Sequence, residues 1–194
     1  MKILRRSGWT FDTSAGGGIG YGSFTVEGGI FALRDLEGVS HQYSFSAFGT
    51  SISRSLTGFF HIPKFALPKF IIKRKELGGS GSTADFNSYG KLFLTESFKG
   101  ADLTKPQSLE GGVVYFEGAA GYLVGGSASL MILGISRELI LLGIGKPDLI
   151  GTAIRSAPAV LTMTGVNEGL QNSLGGAFML GQITYKGLYA DVGE

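Results

Sequence analysis

Three times in this chain a Gly-Gly pair opens a run of four apolar residues. Gly28-Gly29 precedes Ile30-Phe31-Ala32-Leu33, Gly111-Gly112 precedes Val113-Val114-Tyr115-Phe116, and Gly175-Gly176 precedes Ala177-Phe178-Met179-Leu180. A fourth pair, Gly125-Gly126, precedes the softer run Ser127-Ala128-Ser129-Leu130-Met131-Ile132. Glycine costs backbone entropy on folding, so 33 of them in 194 residues need a physical reason. In a β protein the reasons are bending, bulging and the close approach of two backbones. The pairs are spaced unequally, 83 residues from Gly28 to Gly111 and 64 from Gly111 to Gly175, which argues against a solenoid of fixed period.

Strand signals surround these pairs. After the turn Leu36-Glu37-Gly38, Val39, His41, Tyr43, Phe45 and Ala47 alternate with Ser40, Gln42, Ser44 and Ser46. This period of two predicts a long hairpin over about 22–35 and 39–54. Further strands are expected at 91–96, as a pair within 111–135, and as a closing strand over 175–189. Ser136 to Leu142 and 148–157 read as short helices, and Asp102-Leu103-Thr104-Lys105-Pro106 predicts a helical turn near 102–109. Residues 159–174 fit neither period. The expected fold is mainly β: a glycine-rich, strongly coiled antiparallel sheet, barrel or half-barrel, with one to three short helices. The length suits a single domain over 1–194, with 59–82 as an exposed excursion.

The glycines do not make a phosphate loop. Residues 16–22, Gly-Gly-Gly-Ile-Gly-Tyr-Gly, lack the full G-x-G-x-x-G spacing and run into a strand instead of opening a helix. In Gly143-Ile144-Gly145-Lys146-Pro147, proline stands where a magnesium-binding Ser or Thr belongs and removes a backbone donor.

Catalytic signals are sparse. The chain has no cysteine and two histidines, His41 and His61, so thiol chemistry and a multi-histidine metal site are excluded. There is no G-x-S-x-G and no H-E-x-x-H. His41 falls on the apolar face of its strand and reads as a half-buried ring bonded to a neighbour. The expectation is a protein that is not an enzyme and takes no cofactor.

Charge is distributed unevenly. Residues 1–110 hold 13 Lys/Arg and 9 Asp/Glu, whereas 111–190 hold four of each. The total of +2 gives no reason to expect nucleic acid as a partner. Glu117 is the only charge between Gly111 and Ser136, and with Arg34 or Arg54 it would supply a polar handle inside a barrel. Phe24, Tyr43, Phe45, Tyr115 and Tyr122 are the candidate lining, with His41 beside them.

Two segments carry a membrane signal. Residues 118–136 are free of charge for 19 residues, close to a membrane span in length but broken by Gly125-Gly126; two buried strands account for the same letters. Residues 59–76 hold five Lys/Arg with four Phe and three Ile. There Phe59, Phe60, Lys64, Phe65, Lys69, Phe70, Lys73, Arg74 and Lys75 would suit an anionic interface, or an edge protected by lysine and proline. The start Met1-Lys2-Ile3-Leu4-Arg5-Arg6 is basic, but Ser7 to Asp12 replace the apolar core of a secretion signal. The expectation is a cytoplasmic protein or one exported by a route that needs no cleavable signal.

Together these readings favour a binding or interaction barrel for an apolar small molecule or a protein partner. The alternative is a membrane-active secreted effector or pore-forming toxin, inserting 118–135 and meeting anionic lipid with 59–76.

Overall fold

The computed structural model describes residues 2–21, 24–51, 65–66, 89–116, 128–146, 148–164 and 177–189. The strands in chain order are β1 (Lys2–Ile3), β2 (Arg5–Tyr21), β3 (Phe24–Arg34), β4 (Ser40–Ser51), β5 (Phe65–Ala66), β6 (Tyr89–Leu94), β7 (Gly111–Phe116), β8 (Ala128–Ile135), β9 (Ala159–Thr164) and β10 (Ala177–Leu188). Helices α1 (Arg137–Gly145) and α2 (Asp148–Ser156) lie between β8 and β9, and a 3-10 turn spans Pro106–Leu109. Eight strands close into a barrel in the order β10-β4-β3-β2-β6-β9-β8-β7, every neighbouring pair antiparallel. The expected coiled sheet is therefore a complete barrel. β1 and β5 pair in parallel as a separate two-stranded sheet.

The β3–β4 turn follows from its residues. Asp35 Oδ1 accepts from the backbone N–H of Glu37 and of Val39, each at 2.9 Å. Gly38 takes the left-handed conformation that lets the chain reverse, at φ 86°. β4 then keeps strict alternation, with His41, Tyr43, Phe45 and Ala47 facing the lumen.

The lumen is packed. Phe31, Leu33, Tyr43, Leu92, Leu94, Val113, Tyr115, Met131, Leu133, Leu161, Met179 and Ile183 form one buried cluster. A second cluster lies outside the wall. Phe93, Val114, Ile132, Val160 and Leu180 face outward from β6, β7, β8, β9 and β10, beneath Ile140 of α1 and Ile150, Ala153 and Ile154 of α2. The strands β7, β8 and β9 are thus covered on both faces, which is why they read as continuous apolar runs.

Ser136 caps α1, its hydroxyl accepting from Leu139 N at 3.4 Å. The predicted helices are both present, and α1 runs two residues past the expected end at Gly143.

Two glycines bring β4 and β10 together. A Cβ on Gly181 would overlap the Ser46 carbonyl oxygen and lie 2.6 Å from Ala47 Cα. A Cβ on Gly49 would overlap the Phe178 carbonyl oxygen and lie 2.7 Å from Met179 Cα. Here the backbones themselves are in contact within the β4–β10 ladder. Gly-Gly pairs do not all start strands, however. Gly111-Gly112 open β7, but Gly28-Gly29 sit inside β3, where they pair with Gly17 and Gly16 of β2. Gly125-Gly126 and Gly175-Gly176 lie outside the described residues.

Candidate functional site

One end of the barrel is crossed by residues 95–110. Asp102 holds this segment to β2, accepting from Ser7 Oγ at 2.5 Å, from Gly8 N at 2.7 Å and from Leu103 N at 2.8 Å. Arg5 donates to the carbonyls of Ala101 and Gly100 at 2.5 and 2.6 Å. Partial burial pushes the Asp102 carboxyl up, but these hydrogen bonds and the Arg5 charge outweigh it and hold the group below its ordinary range. Trp9 Nε1 donates to the Leu103 carbonyl at 3.0 Å, and Tyr43 OH donates to the Pro106 carbonyl at 3.0 Å. Leu103 and Leu109 are buried in the lumen cluster and plug the mouth.

Beneath this plug lies a polar relay. His41 Nε2 is 2.9 Å from Asp35 Oδ2, and His41 Nδ1 is 3.1 Å from Tyr185 OH. A carboxylate only accepts, so Nε2 carries a proton toward Asp35, and the Nδ1–Tyr185 contact joins the ring to the phenol. Trp9 stacks on the His41 ring with centroids 5.2 Å apart. Tyr185 N donates to Glu110 Oε1 at 2.8 Å, next to the β10 bulge between Tyr185 and Gly187. Burial pushes the Tyr43 phenol up strongly, and the neighbouring Tyr185 and Glu110 add to the effect. Desolvation raises Asp35, but hydrogen bonds from His41, Val39 and Glu37 and the His41 charge more than compensate, leaving it lowered. An Asp–His–Tyr chain of this kind can accept and pass a proton at the barrel mouth.

The residues expected to line a site are distributed as follows. His41, Tyr43, Phe45 and Tyr115 all face the lumen. There the aromatics pack on one another: Phe31 stacks on Tyr43 at 5.3 Å and meets Phe45 at 6.2 Å. Arg34 faces outward instead, paired with Asp12 at 2.9 Å. Ser40 Oγ joins them, donating to Asp12 Oδ2 at 2.5 Å. Phe24 is placed as backbone in β3, and Phe65 as backbone in β5. Arg54, Glu117, Tyr122, Phe59, Phe60, Lys64, Lys69, Phe70, Lys73, Arg74 and Lys75 lie outside the described residues. Sequence reasoning missed Asp35, Trp9, Glu110 and Tyr185. Asp35 had a signal, because a hairpin turn returns the chain beside it; Tyr185, 144 residues from His41, had none.

The outer wall is the second feature. Cross-strand register aligns Phe48, Leu180, Val114, Ile132, Val160 and Phe93 in one outward row over six strands. Phe178, Phe116 and Leu130 form part of the next row, with Phe116 and Phe178 in edge contact at 5.0 Å. Helices α1 and α2 lie over this wall. The second half of the 118–135 segment is thus β8, a barrel strand, and residues 118–127 lie outside the described residues. Among the described residues no helix is long and apolar enough to cross a membrane, and no three His, Asp or Glu side chains gather as metal ligands.

The chain is similar to the toxin protein Tse4 of Pseudomonas aeruginosa, 26% identical over 190 residues that cover 93% of this chain and 95% of that protein. No family model and no solved structure matches it. The similarity corrects one expectation, that the protein is not an enzyme. A chain that resembles a toxin over nearly its whole length cannot be set aside as non-catalytic because familiar motifs are missing, and the Asp35–His41–Tyr185 relay is a set of acid–base groups that no sequence motif marks.

Proposed function

We propose that the protein is a secreted toxin that acts on membranes, meeting anionic lipid with 59–76 and inserting the hairpin 118–135. The observation that carries this reading is the similarity to a toxin over 93% of the chain. The apolar outer row supports it. β8 presents Leu130 and Ile132 outward and Met131 and Leu133 inward, so lifting α1 and α2 would leave a strand that suits lipid better than water.

The test is dye release from vesicles containing phosphatidylglycerol, compared with neutral vesicles, at low and high salt. Release that favours anionic vesicles and disappears in Gly125→Leu is the expected result. A protein that neither binds nor permeabilises vesicles at low salt overturns the reading.

A second reading, catalysis at the barrel mouth, is favoured by the Asp35–His41–Tyr185 relay. His41→Gln separates the two. Loss of toxicity with vesicle leakage and melting temperature unchanged would favour the catalytic reading.

A further inference from the structure

Helix α1 reads Arg-Glu-Leu-Ile-Leu-Leu-Gly-Ile-Gly and, after Arg137 and Glu138, carries no polar side chain on any face. Such a helix is ordinarily buried on every side. This one is buried on one side only. Ile140 lies against Gly112 of β7, and Gly143 against Ile150 of α2. The remaining side carries Leu141, Leu142 and Ile144, which are 68%, 54% and 48% exposed. At about 100° per residue these three side chains fall within an arc of about 160°, a single ridge along the helix. Arg137 and Lys146 are exposed at its two ends. Glu138 is the acid on this side, and it accepts a hydrogen bond from the Ser136 hydroxyl at the helix cap.

We infer that this ridge is a membrane-docking surface, and that its occupant is a bilayer with anionic headgroups; the inference rests on the membrane reading above. Area and charge favour lipid over a protein. Three aliphatic side chains offer on the order of a few hundred Å², well short of the roughly 800 Å² per partner of a stable protein interface. A bilayer sets no such minimum, because each aliphatic group that enters the acyl boundary contributes separately. A cation at each end of the ridge matches phosphate groups lying at the depth where the leucines enter hydrocarbon. The helix is anchored through Ile140 and Gly143, so the ridge is displayed as a fixed surface and needs no rearrangement to meet lipid.

The absence of cysteine makes site-specific labelling clean. Leu141→Cys and, as a control on β4, the exposed Ser46→Cys each receive one environment-sensitive fluorophore. Vesicles containing phosphatidylglycerol should shift the label at 141 to the blue and leave the label at 46 unchanged. The triple substitution L141S/L142S/I144S, at exposed positions and checked by circular dichroism and melting, should weaken vesicle partitioning by about tenfold or more. R137Q/K146Q should reduce binding to anionic vesicles only.

Equal binding by the triple variant, with leakage retained, overturns the ridge and leaves the membrane reading standing. Binding through the ridge without any leakage does the reverse. An unmodified protein that binds no vesicle overturns both. A dimer in solution that the triple variant abolishes assigns the ridge to a second copy and overturns the lipid assignment.

Discussion

Replacing Gly181 by alanine separates two accounts of the glycines. If Gly181 were incidental, Ala would stabilise the strand by about 0.5–1 kcal/mol, because the unfolded chain loses conformational freedom. The structure predicts the opposite sign. The new methyl would overlap the Ser46 carbonyl oxygen and lie 2.6 Å from Ala47 Cα and 2.8 Å from Ala47 Cβ. Two of these three obstacles are backbone, so no rotamer change relieves them. β4 must move away from β10 along a ladder that runs from Ala177↔Ser51 to Leu188↔His41. Overpacking of this kind costs about 1–3 kcal/mol, and set against the entropy gain it leaves a net loss of about 1–2 kcal/mol. For a chain of this size that lowers the melting temperature by roughly 2–8 °C. Trp9, the single tryptophan and a member of the lumen cluster, reports unfolding by its fluorescence. Gly145→Ala is the control: nothing lies within 4 Å of a Cβ there, and it should be neutral or stabilise by up to about 1 kcal/mol. A Gly181→Ala protein as stable as the parent, or more so, would refute the close-approach account.

Asp35→Asn should cost about 1 kcal/mol at neutral pH through loss of the ionised acceptor for His41 Nε2. The folded carboxyl sits below its ordinary 3.8, so its contribution is present above that value and is lost as pH falls through the lower folded pKa; the gap between parent and variant in urea denaturation should close there. Tyr43→Phe leaves the Pro106 carbonyl without its donor and should cost about 1–2 kcal/mol, read by thermal unfolding. Because the Tyr43 phenol is raised, its contribution is full below about pH 10 and falls at higher pH, where the unfolded chain ionises first; the phenylalanine variant should lack that component of the alkaline loss. A Gly112→Cys/Ile140→Cys pair, with Cβ of 112 placed 3.3 Å from Cβ of 140, should oxidise and staple α1 to β7. If β8 must leave its cover to insert, vesicle leakage should vanish in the oxidised form and return on reduction.

Alternation made β4 readable, because one of its faces meets the packed lumen and the other carries Ser40, Gln42, Ser44 and Ser46. Helix α1 was readable as a run from Ser136 that ends at a glycine, Gly143, and α2 from Pro147 and Pro158, which bracket it in the sequence. β9 was not, because Val160 is covered by the helices while Leu161 is covered by the lumen, and a strand buried on both faces loses the period of two. β2 was hidden differently. Its register shifts between Phe11 and Thr13, and again opposite β6 between Arg6 and Thr10, so no single alternation runs through Arg5–Tyr21. At the site, His41 could be placed on a face, but its partners could not be named. The hydrogen bond to Tyr185 depends on β10 closing the barrel beside β4, a pairing that local pattern does not encode. Arg34 shares the outward set with Ile30 and Ala32, so its own strand register sends it to Asp12 instead of into the lumen.

The low charged fraction, 16%, has a structural origin once both clusters are seen. On the β2–β3–β4 side the wall turns Thr10, Asp12, Arg34, Gln42 and Ser44 outward. On the β7–β8–β9 side the apolar layers are stacked three deep: lumen side chains, the outward row, and the helices above it. Burial accounts for the first two layers and for the inner face of α1. It does not account for Leu141, Leu142 and Ile144, which stand outside all three. Among the described residues, Ile30, Leu36, Val39, Phe48 and Leu188 are also exposed, singly along the β3–β4 hairpin and β10, whereas Leu141, Leu142 and Ile144 share one helix. A barrel that only had to remain dissolved would gain from polar residues at those three exposed positions, since nothing in the fold requires aliphatic ones there. A ridge that docks on lipid, as inferred above, would keep them.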